Sequence, residues 1–170
     1  MAVIPAVVTV DAREFWPKMF GGLATFKQIL NFKVGEGGWV DPGGGKEPRV
    51  PDASLRRLDN SLQDIDCIVD PTRALIDQRY PTESRAYFQK DLDPADITFV
   101  SPSTLRVRCL LDFGEFNDDG YGNNPEIWEL GIFSEHPTVG GAELMVAYAT
   151  FPQETKDGTK QIENIIKIVF

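Results

Sequence analysis

A mainly β fold is what this 170-residue chain predicts: an antiparallel, sandwich-like domain with one short N-terminal helix and long irregular loops. The first observation behind it is the last third, where short apolar runs alternate with turn-forming sequence. Leu105–Phe113, Ile127–Phe133, Glu143–Phe151 and Gln161–Phe170 read as strands. Asn117-Asp118-Asp119-Gly120, Pro137-Thr138-Val139-Gly140-Gly141 and Lys156-Asp157-Gly158-Thr159 separate them. The second is the period: Leu105, Val107, Cys109, Leu111 and Phe113 alternate with Arg106, Arg108 and Asp112, giving one buried and one mixed face. The third is that Pro and Gly punctuate the middle of the chain and break up any long helix there.

From the N-terminus, Val3-Ile4-Pro5-Ala6-Val7-Val8 is apolar but too short to span a membrane, and no basic region precedes it. Neither an anchor nor a signal peptide is expected. Asp11 is a candidate N-cap for a helix on which Phe15, Met19 and Phe20 share a face; Pro17 would limit that helix or belong to its first turn, and Gly21-Gly22 end it. Phe26, Ile29, Leu30, Phe32 and Val34 suggest a strand that runs into Gly35-Glu36-Gly37-Gly38-Trp39. From about 40 to 94 the chain is irregular, with Leu55-Arg56-Arg57-Leu58 after the cap-like Asp52 as its one expected helical turn. Loops of that length are generally functional or ordered by a partner. Tyr87–Lys90 and Ile97–Val100 then open the β-rich part. In the closing strand Ile162, Ile166, Ile168 and Phe170 alternate with Glu163, Ile165, Lys167 and Val169. Apolar residues on both faces place it centrally in a sheet or against a neighbouring subunit. A single domain over 1–170 is expected.

Composition narrows the partners. The hydrophobic fraction of 42% and charged fraction of 25% are ordinary for a globular protein. A net charge of -9 argues against a phosphate backbone, which needs clustered Lys and Arg; Arg56-Arg57 and Arg106 with Arg108 are thin. Neither nucleic acid nor membrane is therefore an expected partner. Cys67 and Cys109 stand far apart without paired spacing, so folding in a reducing cytoplasm is the expected start.

Four constellations invite chemistry. The loop Gly35–Lys46 looks like a phosphate cradle, but Glu47 follows Lys46 where a P-loop needs Ser or Thr, and Trp39, Pro42 and Pro48 leave no helix start behind the glycines. Its expected role is a contact loop with Trp39 as anchor. The acidic segment Glu115–Glu126 nearly matches calcium-loop spacing, with Asn117, Asp119, Gly120 and Glu126 in ligand and turn positions. Glu115 stands where Asp is usual, Pro125 stiffens the approach to Glu126, and the flanks read as strands. A hairpin loop bonding its own backbone is the expected form. His136, the single histidine, follows a strand with no nucleophile elbow around it, and a structural role is expected. Glu115, Asp118, Asp119, Glu126 and Glu129 are near enough in sequence to cluster, yet a chain this acidic carries such loops by default. Trp128 and Phe133 read as core, Trp39 and Tyr121 as exposed contacts. No catalytic, cofactor or metal residue is assigned, and the expected interface residues are Trp39, Tyr121, Ile165, Val169 and Phe170.

Phe32-Lys33-Val34-Gly35-Glu36-Gly37-Gly38-Trp39 near the start is followed late in the chain by Glu129-Leu130-Gly131-Ile132-Phe133, then Met145–Pro152, then Gln161–Ile166. In that order these segments resemble the N-terminal domain of bacteriophage tail-collar fibre proteins; residues 40 to about 94 have no counterpart. The resemblance implies a structural virion protein, made in the host cytoplasm, that joins fibres to the tail baseplate without enzymatic activity. It also implies other tail, baseplate and fibre subunits as partners, and assembly as a homo-oligomer with a trimer favoured. In that family a long fibre shaft follows, whereas this chain stops at Phe170, so a separate connector subunit is expected. The alternative is a carbohydrate- or calcium-assisted ligand-binding module using Trp39, Tyr121 and the acidic loop.

Overall fold

The computed structural model describes residues 2–24, 27–54, 67–68, 75–77, 86–119 and 122–169. In chain order β1 (Ala2–Pro5) and β2 (Val7–Val8) precede α1 (Val10–Phe20). β3 (Ile29–Gly35), a small hairpin of β4 (Trp39–Val40) with β5 (Glu47–Pro48), β6 (Cys67–Ile68), β7 (Leu75–Asp77) and β8 (Ala86–Asp91) follow. After a 3-10 turn at Pro94–Asp96 come β9 (Ile97–Ser101), β10 (Thr104–Leu111), β11 (Glu126–Glu135), β12 (Glu143–Thr155) and β13 (Ile162–Val169).

These strands form a mainly β, sandwich-like fold with one short helix, as the alternation predicts. One sheet has the order β1-β13-β10-β9, the other β2-β12-β11-β3-β8-β7-β6. The inward rows of both build a shared core: Val107, Cys109, Ile166 and Ile168 from the first, Phe32, Val34, Leu130, Ile132 and Val146 from the second. The N-terminal apolar run stitches the two together, since β1 lies in one sheet and β2 in the other with only Ala6 between them. One pair departs from the antiparallel expectation. β1 runs parallel to β13, with Ile4 beside Ile166.

Several local expectations need correction. The helix cap is Thr9, not Asp11: its backbone is extended (φ −68°, ψ 157°) and its Oγ1 accepts the Ala12 N–H at 3.2 Å. The same hydroxyl donates to the Met145 carbonyl on β12, which ties the helix start to the sheet. Asp11 sits in the first turn, where a carboxylate complements the helix dipole. Pro17 lies inside the helix, which forgoes one backbone bond there and still continues to Gly21. β12 runs past its expected end to Thr155, because a register shift opposite Ile127 and Glu129 lets Pro152 pass without a ladder donor. The stretch from 40 to 94 is not irregular throughout, for β6, β7 and β8 extend the second sheet. Leu55–Leu58 lies outside the described residues.

The closing strand resolves as central. β13 is flanked by β1 and β10, and Ile165 is only 1% exposed within the single chain. Ile165 is therefore packing, not a subunit contact. Val169 keeps a free surface at 58% exposed, and Phe170 lies outside the described residues.

Candidate functional site: an apolar groove at a free sheet edge

At one end of the sandwich three strand ends of the second sheet come together: Ile29 opening β3, Ser134 and Glu135 closing β11, and Leu144 and Val146 opening β12. α1 covers part of that end with Trp16 and Met19, and the β9–β10 turn reaches over from the first sheet with Phe99 and Pro102. Between them lies a groove of about 470 Å³. Phe99 shares the inward row with Leu105, its register partner, but at the sheet edge it stays 78% exposed. Val100 is the extra residue of a bulge, since Ser101 pairs with Thr104 and Phe99 with Leu105, and it is 60% exposed.

The lining is chiefly carbon. Its ionisable members, Lys27 and Glu135, pair with each other at 2.5 Å, and Ser134 donates to the Glu135 carbonyl at 3.2 Å. The volume falls within the range of ligand pockets, roughly 300–1,000 Å³. What the site offers is apolar contact beside a strand edge that pairs with no further strand among the described residues.

The residues singled out by sequence lie elsewhere and are engaged by their own chain. Trp39 is half-buried; its indole N–H donates to the Glu36 carbonyl at 2.9 Å, and the Lys46 ammonium sits 4.8 Å above its ring. Within the glycine loop the Asp41 carboxylate accepts the N–H groups of Gly43, Gly44 and Gly45 at 2.8, 3.2 and 3.3 Å. The cradle that would hold a phosphate is thus filled from inside, and those bonds, Gly43's foremost, hold the Asp41 carboxyl below its ordinary range.

In the acidic segment Glu115 pairs with Lys90 at 2.8 Å, and Asp119 accepts the backbone and side-chain N–H groups of Asn123 at 3.1 and 3.0 Å. Asp118 accepts from Gly122 at 3.3 Å and Glu126 pairs with Lys46 at 2.8 Å. Asn117 accepts from Lys156 at 2.6 Å, and burial pulls that ammonium's pKa down. Gly120 and Tyr121 fall outside the described residues, among which no three acidic, Cys or His side chains gather as a metal site. Glu129 is buried on the outward row of β11 and bonded by the Tyr148 hydroxyl at 2.7 Å. His136 Nδ1 accepts the N–H groups of Thr138 and Val139 at 3.3 and 3.1 Å, closing the turn after β11. Trp128 and Phe133 are buried, 4% and 1% exposed.

Phe99 and Trp16 were the residues that sequence reasoning did not assign to a site. For Phe99 the signal was the uncharged Ile97–Val100 run, whose meaning depends on its being an edge. No family model, no curated protein and no solved structure gives a significant match to the chain.

Proposed function

We propose that this chain is a structural subunit of a bacteriophage tail or baseplate, connecting fibres to it, and that its work is attachment without catalysis. The observation that carries the reading is the apolar groove beside the uncharged β9, in which the ionisable lining residues neutralise each other. Such a surface suits a protein contact better than a reaction, which needs charge developing against placed polar groups. The particle comes from the tail-collar resemblance, whose segments fall on β3, β11, β12 and β13, strands that carry the core. Assembly into a homo-oligomer, a trimer by that resemblance, accompanies it.

The test is incorporation. The chain is co-expressed with the products of its neighbouring tail genes, and particles are purified and imaged, with sedimentation of the free protein alongside. Wild type enters the particle, and Phe99→Asp, a change at an exposed position that leaves the fold intact, enters at less than about a tenth of that level. A wild-type chain that sediments as a monomer and stays out of assembled tails overturns the reading.

A further inference from the structure

We infer that β9 is the docking edge for an extended segment of a partner protein, one that carries an acidic side chain between two apolar ones. The inference rests on the attachment reading and supplies the partner's chemistry. Among the described residues β9 is the outermost strand of its sheet and pairs only with β10. Its five residues Ile97–Ser101 contain neither a charge nor a proline, the usual guards of a free edge. The bulge at Val100 blunts its far end only. Ile97, Thr98 and Phe99 stay in regular register with Val107, Arg106 and Leu105, and an added strand would satisfy the backbone groups of that stretch.

Side chains specify the occupant. On the outward face Thr98, Arg106 and Lys167 stand in one row across β9, β10 and β13. Arg106 and Lys167 are exposed neighbours that repel, and among the described residues neither makes an ion pair. Arg108, two residues on, is held by Glu163 at 2.9 Å and Asp96 at 3.4 Å. A carboxylate opposite Thr98 on an incoming strand would lie about two strand spacings, roughly 10 Å, from the Arg106 backbone. Only the short Thr98 stands between, and extended Arg and Glu side chains close that gap. Residues flanking the carboxylate point inward beside Ile97 and Phe99, where apolar side chains cover the exposed Phe99 and continue the groove. A symmetric pairing of β9 with the β9 of a second copy does not meet this requirement, because no residue of Ile97–Ser101 could supply the carboxylate.

A random-peptide display selection against the whole chain, followed by fluorescence anisotropy on the best peptide, tests it. The expected consensus is apolar–acidic–apolar. Replacing the acidic residue by Lys in the peptide, or Arg106→Glu in the protein, weakens binding at least tenfold, and N-methylation of the peptide backbone at the triplet abolishes it. Equal binding by the N-methylated peptide overturns strand addition, and indifference to Arg106→Glu overturns the charge assignment. Enrichment of no peptide, with concentration-dependent self-association removed by Phe99→Asp, overturns the inference in favour of a second copy. If particle incorporation still depends on Phe99 in that event, the attachment reading survives while this inference falls.

Discussion

Gly38→Ala is the substitution whose cost the structure fixes most closely. Past β3 the chain turns back over the outward face of β12: the Arg49 N–H donates to the Gly38 carbonyl at 2.8 Å, Thr150 Oγ1 donates to the Arg49 carbonyl, and the Val10 N–H reaches the Ala53 carbonyl at 2.8 Å. Gly38 opens this strap with φ +79°, where an L side chain costs about 1–2 kcal/mol. A Cβ there would stand 2.8 Å from Glu129 Cβ, 3.1 Å from Thr150 Cγ2 and 3.2 Å from the Tyr148 hydroxyl. Two of those neighbours sit at or near the backbone of buried strands and have little room to move. Overpacking of this kind adds about 1–3 kcal/mol, for a total of about 2–5 kcal/mol. At about 2–4 °C per kcal/mol for a chain of this size, the melting temperature drops by roughly 4–20 °C. Urea denaturation and a thermal scan measure it. Gly44→Ala is the control, since nothing lies within 4 Å of its Cβ and its φ is not in the left-handed region. A Gly38→Ala protein melting within a degree of wild type, or a Gly44→Ala protein that loses as much, would refute the reasoning.

Thr9→Ala removes both the helix cap and the hydroxyl that donates to Met145, and is expected to cost about 1–3 kcal/mol in urea denaturation with an unchanged slope. Burial raises the Glu154 carboxyl above its ordinary 4.5, against a smaller lowering by Asn164. Its contribution to stability is therefore fully present below the unfolded pKa and is lost as pH rises through the folded one. At pH 7 Glu154→Gln should stabilise by up to about 1 kcal/mol, discounted for solvent screening, with the gain vanishing near pH 4; thermal scans across pH read it. For Asp41, held below its ordinary 3.8 by the Gly43 N–H first, the sign is opposite: the loop bonds persist above the unfolded pKa and are lost as pH falls through the folded one. NMR amide shifts of Gly43, Gly44 and Gly45 should titrate together with one midpoint below 3.8, and independent midpoints would argue against a shared cradle.

Where sequence served well, it was through local signals. Alternation in Thr104–Leu111 and the turn residues on either side of β11, β12 and β13 fix their existence, because each strand's buried face is written in its own residues. The helix was legible and its cap was not. Thr9 and Asp11 are both capping residue types, and what decides between them is the Met145 carbonyl, 136 positions away. The parallel partner of β1 was hidden for the same reason, since four residues carry no record of a strand at the other terminus. Apolar residues on both faces of β13 read correctly as a strand that is central or covered; only the sheet order selects central, and Ile165 then leaves the surface. The groove was least legible of all. Its lining comes from separate segments, and Phe99 looks like any strand aromatic until β9 proves to be an edge.

Net charge does not by itself describe the surface that an approaching segment meets. The chain is at -9, yet most described cations are already committed: Lys18 to Glu14, Lys27 to Glu135, Lys33 to Glu143, Lys46 to Glu126, Lys90 to Glu115, Arg108 to Glu163 and Lys160 to Asp157. Among the described residues Arg106 and Lys167 stand beside each other without such a match, next to the strand edge that lacks charge. At physiological ionic strength charges beyond about 8 Å are largely screened, so an approaching segment feels that row and not the acidic loops at the other end of the sandwich. A negative protein can thus present a locally positive seat. Its binding of an acidic strand should weaken as salt rises, the reverse of what repulsion by the net charge would give.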